Sequence, residues 1–220
     1  MKIVIQCARR KDQRAGSLKD ANGQPVLFVA NPDLAPPAEG CTYARPDDPA
    51  GDGRTWRDLL VEYNNEYRRN GANPSGLRPA YKLYKHPVYA QLVDRFCVSN
   101  VFILSAGWGL IRADFLTPKY DITFSARAHR YRRRSILDPY NDFRMLPDDG
   151  NEAIVFFGGK DYLRPFCNLT REYRSKRFVF FNSSSPPNAP CCILIQYRTN
   201  TRTNWQYECA EKFLTCCPEA

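Results

Sequence analysis

The segment from Val101 to Phe124 constrains the fold more than any other. It opens on Val101-Phe102-Ile103-Leu104, four apolar and mostly branched or aromatic residues that read as a short buried strand. The strand runs into Ser105-Ala106-Gly107-Trp108-Gly109, where two glycines let the backbone turn sharply or approach a ligand closely. A polar loop follows and ends at Pro118-Lys119-Tyr120-Asp121, an aromatic beside a carboxylate. A strand end, a flexible turn and a Tyr–Asp pair in one short span is how an α/β protein builds a pocket. A strand, a loop and a solvated acid would carry the same residues.

Strand patterns recur at Lys2–Gln6, Val26–Ala30, Ala153–Phe157, Phe178–Phe181 and Cys192–Gln196. Helical patterns lie between them at Thr55–Arg69, Ala80–Val98, Lys160–Tyr173 and Asn204–Leu214. Pro87 predicts a kink or a break in the second of these, because it removes a helical N–H donor. The alternation predicts an α/β fold with a largely parallel central sheet flanked by helices. A length of 220 residues fits a single domain over 1–220. Residues 13–53 are rich in Pro, Gly, Asp and Ala and read as an insertion on the sheet's edge, with Asn22-Gly23 turning a hairpin. Residues 126–150 read as a basic loop.

The formal net charge is +9, and the excess is concentrated. Arg127, Arg130, Arg132, Arg133 and Arg134 fall within eight residues with no acid among them. Such a cluster is suited to phosphates, and Tyr131 inside it is suited to stacking on bases or wedging between them. A solvated loop paired with Asp138, Asp142, Asp148 and Asp149 is the plainer reading. Density and overall basicity favour nucleic acid.

No run approaches the roughly 20 apolar residues that span a bilayer, and Met1-Lys2-Ile3-Val4-Ile5-Gln6-Cys7 is a strand start rather than a signal peptide. A cytoplasmic protein is expected. The nine cysteines, with adjacent pairs Cys191-Cys192 and Cys216-Cys217, read as reduced thiols. No Cys-x-x-Cys occurs, and His86 and His129 are the only imidazoles, so neither a metal nor a cofactor is expected.

Several strand patterns end in polar or glycine-rich sequence: Gln6 to Lys11, Ser105 to Gly109, Gly158 to Tyr162, and Asn182 to Pro187. In a parallel sheet these ends share one edge, where ligands bind near the point at which strand order reverses. The four loops would converge with Asp121 on one crevice. Gly158-Gly159-Lys160 lacks the spacer and hydroxyl of a phosphate loop, and no Gly-x-Gly-x-x-Gly occurs. Cys7, followed by Arg9, Arg10 and Lys11, would be an activated thiol if exposed. More often a cysteine there is buried.

Five sets of residues carry a resemblance. They are Cys7-x-Arg9-x-Lys11, Ala80-Tyr81-Lys82-Leu83-Tyr84 with Tyr89, Ile103 to Ile111, Pro118 to Phe124, and Gly159-Lys160-Asp161-Tyr162. Together they resemble a bacterial family related to the YaaA peroxide-stress proteins over about half of the chain, mainly positions 1–11 and 80–162, while residues 13–53, the arginine cluster and the C-terminal third have no counterpart in that pattern. Lys119, between Pro118 and Tyr120, departs from that pattern. The resemblance implies an α/β fold distantly similar to uracil-DNA glycosylase and association with DNA. It does not by itself imply catalysis.

The leading expectation is a DNA glycosylase that cleaves an N-glycosidic bond, acting on a flipped base that is modified or damaged, in repair or defence. Asp121 would stabilise the oxocarbenium-like sugar. Lys11, Lys160 or an arginine would stabilise the departing base, and Asn182 would read its edge. Tyr120 or Trp108 would stack on it, in a site completed by Ser105, Asp161 and Cys7. Arg9 and Arg10, with the cluster from Arg127 to Arg134, would hold duplex DNA. A non-enzymatic DNA-protecting protein and an N-glycosidase acting on nucleosides or nucleotides remain as alternatives.

Overall fold

The computed structural model describes residues 1–148 and 150–216; Asp149 and Cys217 lie outside the described residues. The chain begins with β1 (Lys2–Gln6), β2 (Val26–Val29), β3 (Thr42–Ala44), β4 (Pro49–Gly51) and β5 (Arg54–Thr55). Helix α1 (Trp56–Asn70), β6 (Arg78–Pro79) and the helices α2 (Ala80–Leu83) and α3 (Val88–Phe96) follow. Next come β7 (Val101–Ser105), β8 (Gly109–Arg112), β9 (Leu116–Thr117), β10 (Tyr120–Asp121) and β11 (Phe143–Arg144). The chain ends with β12 (Ile154–Phe157), α4 (Lys160–Leu169), β13 (Arg177–Phe181), β14 (Ile193–Gln196) and α5 (Trp205–Cys216).

A seven-stranded sheet in the order β11-β8-β7-β1-β12-β13-β14 forms the centre. Every pairing in it is parallel except the β7–β8 hairpin. Ile3, Val4 and Ile5 of β1 and Phe102, Ile103 and Leu104 of β7 are all buried, as continuous apolar runs must be when both faces of a sheet are covered. Helix α1 starts at a capping box, in which the Thr55 side chain accepts the Asp58 N–H and the Asp58 carboxylate accepts the Thr55 N–H. It ends at Gly71, whose φ of 72° is the left-handed conformation of a helix stop. The Ala80–Val98 pattern breaks at Pro87 into α2 and α3. None of the described helices is long and apolar enough to cross a membrane.

Two expectations need correcting. The stretch after Gly109 is not a loop: β8 turns back on β7, with Ser105 opposite Gly109 and Leu104 opposite Leu110. Gly109 is required there by packing rather than by a ligand. Its φ is +83°, and a Cβ would lie 2.6 Å from Asp142 Cβ and 2.7 Å from the Phe143 N. Val26–Val29 likewise is not an arm of a long hairpin. It pairs in parallel with β3 on one side and β10 on the other, in a separate three-stranded sheet, while the turn at Asn22-Gly23 closes only the Lys19–Pro25 bridge. Residues 13–53 thus supply the neighbour that fixes Tyr120 opposite Phe28 and Asp121 opposite Val29.

Candidate functional site

From β1 the chain reaches β7 on one side and β12 on the other, so the strand order reverses at β1. The connections leaving β1 and β12 diverge there, at the carboxyl edge, which is where open α/β sheets place their ligand sites. Two hydrogen bonds brace this edge. The Cys7 N–H donates to the Leu104 carbonyl at 2.9 Å, and the Gly159 N–H ahead of α4 donates to Gln6 Oε1 at 2.6 Å.

At that edge lies a closed chamber built of buried, mutually hydrogen-bonded polar groups. Ser105 Oγ accepts the N–H groups of Gly107 and Trp108 at 3.3 and 3.1 Å and donates to the Tyr120 hydroxyl at 2.9 Å. The Tyr120 and Tyr84 hydroxyls are 2.8 Å apart. Because Ser105 donates to it, Tyr120 passes its own proton onward, toward Tyr84 or the Cys7 thiol. The Cys7 sulfur lies 3.2 Å from the Tyr162 hydroxyl. At the back, Tyr89 donates to the Gln6 carbonyl at 2.8 Å, which leaves the Tyr207 hydroxyl, 3.2 Å away, to donate to Tyr89. Burial pushes the phenols of Tyr84, Tyr89, Tyr120 and Tyr162 well above the ordinary tyrosine range, so all four are neutral donors.

Lys11 enters from one side. Its backbone bridges to Tyr84, and its side chain is 6% exposed, with Nζ 4.0 Å from the Tyr120 ring centroid. Nζ packs over the rings of Tyr120 and Tyr84, and among the described residues no carboxylate or carbonyl hydrogen-bonds the ammonium. Burial lowers its pKa from the usual lysine value. The Cys7 and Asp121 charges oppose that shift in part, while Arg132 and Lys119 add to it. Asp121 sits at the chamber's outer side, where the Arg132 guanidinium holds its carboxylate at 2.7 Å.

Cys7, Lys11, Ser105 and Tyr120 are therefore brought together, with Asp121 within electrostatic reach of Lys11; Lys160 and Asp161 lie in the first turn of α4, whose Tyr162 contacts Cys7, and Lys160 is exposed. Three expected residues are placed elsewhere. Trp108 is fully buried in the core, edge-on to Phe28 at 5.0 Å and stacked on Phe143 at 6.4 Å, so it presents no face to a base. Asn182 is exposed at the end of β13, with β12 between that strand and β1. Arg134 is buried. Its guanidinium grips Asp142 at 2.9 and 2.7 Å, donates to the Ala106 carbonyl and covers the Tyr140 ring at 3.7 Å, so it is not available to phosphate.

Arg9, Arg10, Arg127, Arg130 and Arg133 are exposed. The loop that carries the last three is tied to the chamber by the Arg132–Asp121 pair and by the Thr123–Arg133 bridge. Tyr131 is half-buried, stacked on His129 at 6.2 Å, and its carbonyl accepts the N–H groups of Ala30 and Asn31.

Tyr84, Tyr162 and Tyr207 belong to the chamber although no site role was expected of them. An open cavity of about 470 Å³ lies next door, lined by Phe124, Arg134, Tyr140, Asp142, Arg144 and Leu169 among others. Phe124 also packs edge-on against Tyr162 at 5.2 Å, so its ring forms the wall between cavity and chamber. In the cavity Arg134 and Asp142 pair with each other, whereas Lys11 in the chamber has no counter-ion in contact. Among the described residues no three His, Cys, Asp or Glu side chains converge on a metal position. Comparison with known proteins finds no matching family model, no similar curated protein and no similar solved structure.

Proposed function

We propose that the protein binds DNA and excises a base by cleaving its N-glycosidic bond, with the chamber at the end of β1 as the reaction site. One observation carries this reading. A held carboxylate, Asp121, lies within electrostatic reach of a buried amine, Lys11, without touching it, beside a loop of exposed arginines. A carboxylate placed against C1′ stabilises the oxocarbenium-like sugar as the bond to the base breaks. The neutral phenols of Tyr84, Tyr120 and Tyr162 donate hydrogen bonds to the leaving base, and the exposed arginines hold the phosphates on either side of the flipped nucleotide.

A second reading, binding without chemistry, is supported by the closure of the chamber: Cys7, Lys11, Ser105 and Tyr120 are all buried. Mass spectrometry of bases released from duplex DNA carrying several modification types decides between the two. A released base supports excision. Tight binding with no product supports protection of the duplex, and turnover of mononucleotides alone would move the function to free nucleotides.

A further inference from the structure

We propose that Lys11 is the nucleophile of the site, its Nζ attacking C1′ of the deoxyribose and forming an imine with the ring-opened sugar. This rests on the base-excision reading and adds to it a covalent intermediate and a second substrate class, DNA that already carries an abasic aldehyde.

A structural lysine buried this deeply is normally paired with a carboxylate, because an uncompensated ammonium in a low-dielectric site is expensive. Lys11 is not. Its Nζ stands over the Tyr120 ring at 4.0 Å, and the nearest held carboxylate, Asp121, is engaged by Arg132 at 2.7 Å. The backbone is fixed by the Asp12 N–H to Leu83 carbonyl bond at 2.7 Å and by the bridge to Tyr84, and burial packs the side chain against the Tyr120 ring. Burial favours its uncharged form, which carries the lone pair a nucleophile needs. Aromatic faces surround the amine, and no carboxylate or carbonyl takes its hydrogens.

The steps balance. The Nζ lone pair forms a bond to C1′ as the C1′–N bond to the base breaks, and the base leaves with that electron pair and takes up a proton. The C1′–O4′ bond then opens. The amine proton passes to O4′, and a protonated imine joins Lys11 to the open sugar. Water adds to the imine to regenerate the free amine and leave an aldehyde. Alternatively, loss of a C2′ proton expels the 3′ phosphate and nicks the strand. No oxidant or reductant enters.

The test uses the full chain, a duplex bearing one preformed abasic aldehyde, and sodium borohydride, which reduces an imine to a stable amine. The expected result is a covalent protein–DNA band whose adduct maps by mass spectrometry to Lys11. Lys11→Arg, which keeps a long basic side chain but cannot form the imine, should reduce trapping by at least about 100-fold. An adduct on another lysine or on the N-terminal amine, or no adduct at all, overturns the proposal. Mapping on the wild-type chain keeps the result decisive if the variant folds poorly. The two readings fail separately. Base release without a Lys11 adduct leaves excision standing and removes the nucleophile, whereas a Lys11 adduct on abasic DNA without release of any base retains the nucleophile and removes excision.

Discussion

Arg132 holds the Asp121 carboxylate at 2.7 Å, with the two side chains only 13% and 31% exposed. The pair joins two parts of the molecule that the sequence separates in role, since Asp121 ends β10 and Arg132 sits in the basic loop. It takes one arginine out of the exposed cluster and fixes the Asp121 carboxylate. A carboxylate gripped by a guanidinium is held in one orientation, which is what stabilisation of a cationic sugar requires.

Asp121→Asn should therefore lower base release by about 10²–10³-fold while DNA affinity and thermal stability change little. Asparagine keeps the shape and a hydrogen bond to Arg132 but loses the charge. Single-turnover kinetics on a confirmed substrate check this, and a variant that keeps most of its rate would show that Asp121 is not the catalytic carboxylate.

The arginines divide into two groups with opposite expected behaviour. Neutralising the exposed Arg127, Arg130 and Arg133 together should weaken binding to duplex of any sequence. It should also lower the log–log salt slope by roughly 2–3, about 0.9 for each phosphate left without its arginine. Anisotropy titrations at several salt concentrations measure the slope, and an unchanged one would remove these residues from the DNA surface.

Arg134→Met should leave that slope alone and act on stability. It strands the half-buried Asp142 carboxylate, for which Arg57 at 3.7 Å is only a partial substitute, and should cost about 3 kcal/mol. Denaturant unfolding compared with the wild type gives the number.

This division shows where the sequence stops being informative. Five clustered arginines look alike in sequence; which are exposed depends on Asp121 and Asp142, brought in by tertiary structure. Trp108, set between glycines, reads as a loop residue, but Phe28 from a distant strand captures it in the core. The central strands were legible because their apolar runs are continuous, and the break at Pro87 was legible because a missing N–H is a local fact. The two-residue strand at Tyr120–Asp121 carries no periodic signal, since its partner lies in residues 13–53. The contact between Tyr207 and Tyr89 spans 118 positions, and neither residue's neighbours announce it.

Lys11 gives the chain a pH-dependent stability of definite sign. With its pKa lowered by burial, the unfolded state binds the extra proton between the folded value and the ordinary lysine value. Stability should therefore rise with pH across that window, by at most about 1.4 kcal/mol per pH unit. The raised phenols act the other way only above about pH 10, where unfolded tyrosines ionise first. The wild type minus Lys11→Met difference in unfolding free energy, measured between pH 7 and 9.5, isolates the lysine. A difference that stays flat would mean that Lys11 remains fully charged in the folded protein.

Far from the chamber, Cys167 of α4 and Cys192 beside β14 have their sulfurs 4.0 Å apart. The hydrogen bond from Cys167 lowers the Cys192 thiol to about 7, with Arg177 helping and burial opposing. The same contact raises Cys167, which burial reinforces. Cys192 should thus be the thiolate of the pair, with Cys167 inert. Its alkylation rate by iodoacetamide, followed by peptide mass spectrometry, should increase about tenfold from pH 6 to pH 8 and then level off. Cys167→Ala removes the donor that stabilises the thiolate, so the midpoint should move to higher pH while Cys192 stays reactive. A midpoint that does not move would assign the lowered value to Arg177 alone.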